Sequence, residues 1–146
     1  MSEGAGPPVS TAFLLMAVGR RVRDRIERAL SSEGIALRHV SALGHLSRTP
    51  GLSYSELARR ASVTPQSMQA TLRTLEDRGA IEREGVGGRG RTATLTITAE
   101  GRRLLDVGTA VITAADGEID AALDDRFAGE LRMNLLSMMR GQDTAF

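Results

Sequence analysis

The chain has 146 residues, of which 41% are hydrophobic, 25% charged and 3% aromatic, the size and balance of one ordinary folding unit with an aliphatic, methionine-filled core. With no cysteine and a basic set of 19 residues that are all arginine, disulfides, thiolate metal sites, thiol redox sensing and any lysine-dependent mechanism are excluded. The net charge of +1 is unevenly spread: residues 53–103 carry nine arginines against six acids, whereas residues 104–146 carry three against eight.

The opening "MSEGAGPPVS" has no basic segment before its apolar patch and no run reaches the length of a membrane helix, so a cytoplasmic protein without membrane contact is expected, with residues 1–10 flexible. Leu14, Val18, Val22, Ile26 and Leu30 then recur every four positions among arginines and acids, predicting an amphipathic helix that closes near Gly34, with Asp24 and Arg28 as an i, i+4 pair. Leu37, Val40, Leu43 and Leu46 line one side of a second helix, stopped by Pro50 and Gly51.

"LSYSELARRA" has the form of a capping box, Ser53 with Glu56, and predicts a short third helix over about Tyr54 to Ala61. After a turn of about three residues, Thr64 suits an N-cap, Pro65 the first helical position and Gly79 the residue beyond the end of a fourth helix. "AIEREG" and "TATLTIT" alternate as strands around a glycine-rich loop, Thr98 caps another helix, and "DRFAGELRMNLLSMMRG" is a last amphipathic helix.

The loop "GVGGRGRTATL" contains a literal G-x-G-x-x-G at Gly85, Gly87 and Gly90. A dinucleotide fingerprint must follow a strand and open a helix, but here a strand follows, and a kinase glycine loop needs a strand lysine that this chain lacks. Two readings remain. In one, the glycines only supply the positive φ of a hairpin. In the other, Arg89 and Arg91 project from a hairpin tip just after two helices joined by a short turn, the arrangement of a DNA-binding wing whose guanidinium groups meet phosphates or a minor groove.

In the order helix, helix, "LSYSELARRASVTPQSMQATLRTLEDRGAIEREG", hairpin, "LTITAEGRRLL" and two final helices, nearly the whole chain resembles the MarR family of bacterial transcriptional regulators. The resemblance implies a mainly α fold with a small β-hairpin wing: a winged helix-turn-helix over 35–103 and a helical dimerisation region from 11–34 and 104–146 of a triangular homodimer. It implies major-groove reading by the helix starting at Thr64, hence by Thr64, Pro65, Gln66, Ser67, Gln69 and Ala70, with Ser53, Arg73, Arg89 and Arg91 as further DNA contacts. On physical grounds the side of that helix opposite Met68, Leu72 and Leu75 faces outward, where Gln and Ser suit base edges or phosphates and equally suit plain solvation. Dimerisation falls to Leu14, Val18, Leu131, Leu135, Leu136 and Met139. Two positions depart from the family: Ala70 where members often carry Arg, and Arg89 where an Asp commonly buttresses the arginine at position 91.

The expected partners are therefore double-stranded DNA with a pseudo-palindromic operator, a second copy of the chain and a small effector that releases a repressor, with no cofactor and no metal. His39 and His45 lie on different faces of one helix and read as structural or solvated, and Asp116, Glu118, Asp120, Asp124 and Asp125 as a solvated helix end. The second functional reading is a small-molecule or protein-binding module that kept the fold and lost DNA specificity. An enzyme is not expected, for want of a paired nucleophile and base.

Overall fold

The computed structural model describes residues 9–85 and 93–141, which form six helices and one antiparallel pair of strands. In chain order these are α1 (Thr11–Ser31), α2 (Leu37–Arg48), α3 (Tyr54–Arg60), α4 (Pro65–Asp77), β1 (Ile81–Glu84), β2 (Thr94–Ile97), α5 (Ala99–Ala121) and α6 (Asp125–Arg140). The fold is thus mainly helical with a two-stranded hairpin.

Local chemistry sets most of the boundaries. Ser53 Oγ accepts from the Glu56 N–H while the Glu56 carboxylate takes the Ser53 N–H at 2.8 Å, so α3 starts on a complete capping box. Thr64 Oγ1 accepts the Ser67 N–H at 3.1 Å and Pro65 follows, so α4 starts on a hydroxyl cap and a residue with no N–H to satisfy. α2 begins after Ala36, which has no side-chain acceptor, and His39 supplies one: its Nδ1 takes the Ala36 N–H at 2.9 Å. The turn between α3 and α4 is closed by Ser62 at φ +54, the one non-glycine residue with positive φ among the described residues. On α1, Arg28 Nε donates to the backbone carbonyl of Asp24 at 3.2 Å rather than to its carboxylate, which corrects the expected side-chain pair.

The chain divides into two compact units, 1–111 and 112–146. The core of the first is aliphatic: Leu30, Leu43, Leu57, Leu72, Leu95 and Leu104 are all fully buried, one from each of five helices and one from β2. β1 and β2 pair from Ile81 with Ile97 to Glu84 with Thr94, and the segment before α3 joins the other edge of β2 through Leu95 N–H to Leu52 carbonyl at 3.1 Å. Only Ile81 on β1 and Leu95 on β2 are fully buried, so the alternation of the strands serves two anchor points. Gly101 holds the start of α5 close to the hairpin. A Cβ there would lie 2.1 Å from the Ala80 carbonyl oxygen, so only glycine fits.

In the second unit Ala115 and Ala128 are buried, and Arg132 grips Asp120 through both carboxylate oxygens at 2.7 and 2.6 Å. That pair gives one member of the acidic run a structural role and holds the Arg132 pKa up. Among the described residues no group of three or more His, Cys, Asp or Glu is placed to hold a metal ion, and no helix is long and apolar enough to cross a membrane.

Candidate nucleic-acid interface

α4 has two chemically distinct faces. Met68, Thr71, Leu72 and Leu75 are buried, at the i, i+3, i+4 and i+7 spacing of one helix stripe. Pro65, Gln66, Ser67, Gln69, Ala70 and Arg73 are all exposed on the remaining surface. Six of the expected DNA-contact residues therefore share one exposed helix side, five of them within its first two turns. These carry two amides, one hydroxyl and one guanidinium, which can donate to phosphates or pair with base edges. The N-terminal end of α4 also presents the positive end of the helix dipole, which favours an approaching phosphate.

Thr64 and Ser53 sit differently from the other expected contacts. The Thr64 hydroxyl is engaged on Ser67, accepting its N–H and donating to its Oγ at 3.0 Å. The Ser53 hydroxyl donates to Glu56 Oε2 at 2.8 Å and is half-buried. Both hydroxyls are engaged in holding helix starts. The same hydrogen bonds from Ser53 hold the Glu56 carboxyl below the usual range.

Arg89 and Arg91, with Gly87 and Gly90, lie outside the described residues. The base of the hairpin is described: Gly85 has φ +103 and faces Ala93, a backbone conformation that L side chains rarely adopt. At the other end of the hairpin Thr98 Oγ1 donates to the Gly79 carbonyl at 2.6 Å and accepts the Gly101 N–H at 3.1 Å. One hydroxyl thereby ties the end of α4, the exit of the hairpin and the first turn of α5. Arg83 on β1 forms an ion pair with Glu76 on α4.

Five of the six residues expected at a dimer contact are exposed in the single chain. Leu14 and Val18 on α1 are about half exposed, and Phe13 and Met16 reach 74% and 71%. On α6, Leu135, Leu136 and Met139 are exposed, Leu131 is half-buried and only Ala128 is buried. His39 is buried and acts as a helix cap, and His45 is half-buried with Arg48 Nη2 3.5 Å from its Nδ1. Burial, then the neighbouring arginines Arg38 and Arg78, lower the His39 pKa, with Glu27 opposing them.

Two features had no signal in the sequence pattern. Ser62 takes the positive φ of the turn although nothing marks it as a glycine substitute. Arg78 at the end of α4 donates to the carbonyls of Glu33 and Gly34, 45 and 44 residues away.

Comparison with known proteins places the chain in a family. A family model described as MarR family matches residues 33–92. An HTH-type transcriptional repressor of Mycobacterium tuberculosis, Rv2887, is 43% identical over 120 residues, covering 82% of this chain and 86% of the relative. The crystal structure of that mycobacterial MarR family protein in complex with DNA is similar over 89% of this chain and 98% of the other, with 39% identity and a TM-score of 0.77. Its complex with salicylic acid covers 89% and 96%, with 41% identity and a TM-score of 0.71. The similarity reaches well beyond the helix-turn-helix into the terminal helices, and on this extent the chain belongs to the MarR family of transcriptional regulators.

Proposed function

We propose that this chain is a homodimeric, sequence-specific DNA-binding repressor that acts in the cytoplasm, binds rather than catalyses, and releases its operator when a small aromatic acid binds. The single observation that carries the reading is the exposed polar side of α4, Gln66, Ser67, Gln69 and Arg73, presented at a capped helix start by a fully buried leucine core. Gln66 and Gln69 supply base-edge donors and acceptors, Arg73 a phosphate contact, and the bare stripes of α1 and α6 the surface for a second copy. Arg89 and Arg91, which follow this helix in the sequence, add further positive charge. The likeness to a repressor solved with DNA and with salicylic acid supports both halves of the proposal.

The test uses the full chain and a duplex selected by it from a random-sequence pool. Binding is expected to weaken steeply with salt and to be relieved by salicylic acid. Arg91→Ala is expected to weaken operator binding by about 1–3 kcal/mol and, if the arginine neutralises a phosphate, to reduce the salt slope by about one. Peroxide is not expected to act as a direct thiol signal, because the chain has no cysteine. The second reading, a ligand-binding module without DNA specificity, rests on Ala70 and on Arg89 in place of the family's usual residues. Selection that enriches no sequence, together with retained salicylate binding, would decide for it.

A further inference from the structure

Arg78 is the C-cap of α4, at the end opposite Gln66 and Ser67. Its Nη1 donates to the Glu33 carbonyl at 2.8 Å and to the Gly34 carbonyl at 3.2 Å. These carbonyls lie in the turn just past α1, where the last helix carbonyls and the negative end of the dipole favour a cation. Gly34 makes the room: it has φ +69, and a Cβ there would lie 2.9 Å from Arg78 Nη1. The same turn receives a second guanidinium, for Arg103 on α5 pairs with Glu100 at 2.8 Å and with Glu33 at 3.5 Å. One short turn thus joins the end of α1 to the end of α4 and to the helix that leaves the hairpin.

The half-exposed Arg103 ion pairs add little stability, whereas the Arg78 hydrogen bonds join the end of α4 to the backbone of the turn past α1, so their consequence is also angular. α4 has 13 residues, a length of about 20 Å, and a tilt of about 5° at the Arg78 end would move Gln66 by about 2 Å. A base contact tolerates displacement of only about 0.5 Å. We propose that Arg78 is a positioning residue for DNA binding: by fixing α4 to the end of α1, it sets the spacing at which the two recognition helices of a dimer meet their half-sites. This rests on the reading above that α4 enters the groove and α1 carries part of the dimer contact.

The experiment measures binding of wild type, Arg78→Ala and Arg78→Gln to the duplex that the wild type selects, to the same duplex with its centre lengthened by two base pairs, and to random duplex. The wild type is expected to prefer the native spacing by about tenfold or more, and both variants by less than about threefold, with random-duplex binding unchanged. Dimer mass and circular dichroism identify folded variants, and Arg78→Gln, which keeps the aliphatic stem, carries the comparison if the alanine variant fails to fold. A folded variant with a lower melting temperature but full spacing discrimination would overturn the proposal and leave Arg78 a stabilising cap. A wild type that selects no duplex would overturn the reading of α4 and this inference with it, and that result is seen before any variant is compared.

Discussion

Leu72 on α4 and Leu136 on α6 are the same residue at apolar positions of amphipathic helices, yet the first is fully buried and the second is 48% exposed. Around Leu72 the helices cover one another: α2, α3 and α4 are short, sharply capped and turned back by Ser62, Gly51 and Gly79 at positive φ. The first half of α1 and most of α6 carry stripes of similar composition whose large apolar side chains are exposed, among them Leu14, Val18, Leu136 and Met139. Amphipathic spacing therefore says that a face must be covered and not what covers it. In one region the chain does so itself, and in the other we assign the task to a second copy.

The largest expected effect breaks the self-covered region. Leu72→Ala empties a fully buried site and should lower the unfolding free energy by about 2–5 kcal/mol, read from denaturant melts. A loss below about 1 kcal/mol would mean that the core is not closed around α4.

The matching change in the other region acts on assembly. Replacing Leu135 and Leu136 together by serine removes apolar area that is already partly wet, worth about 1 kcal/mol or more for each. The dimer dissociation constant should rise by about tenfold or more, seen by sedimentation. If the chain stays dimeric with unchanged affinity, the stripe of α6 is not the contact.

The smallest effect sharpens the comparison at the junction of α1 and α2. The neutral form of His39 caps α2 with Nδ1, and burial lowers its pKa from 6.5. In the window from about pH 6.5 down to the lowered value the unfolded chain binds the proton more readily, so stability is complete above the window and declines as the pH falls through it. Glu27 opposes this decline, whereas Arg38 and Arg78 reinforce it. His39→Gln keeps an acceptor near the Ala36 N–H and should flatten this part of the stability profile. An equal slope in both proteins would place the titration elsewhere.

Much of this organisation was legible because its causes are local. Ser53 with Glu56, Thr64 with Pro65, and Gly79 mark helix ends through hydrogen bonds that span three or four residues, and those ends fall within a residue or two of where the pattern predicts them. The exposed side of α4 follows from the same periodicity. What escaped was long-range. Nothing in the neighbourhood of Arg78 announces a bond to Glu33 and Gly34, and nothing beside Gly101 announces the Ala80 carbonyl that excludes a side chain. The tip of the hairpin, with Arg89 and Arg91, lies outside the described residues, so its part in binding stands on charge and position in the sequence.

The most direct test of the account is the stoichiometry and footprint of the full chain on its selected duplex, measured together by mass of the complex and by nuclease protection. Two chains per duplex, protecting two related half-sites about one helical turn apart, is the predicted result, because each chain brings one α4 and the bare stripes of α1 and α6 join them. A single chain bound to an unrepeated site, or protection that ignores sequence, would contradict it.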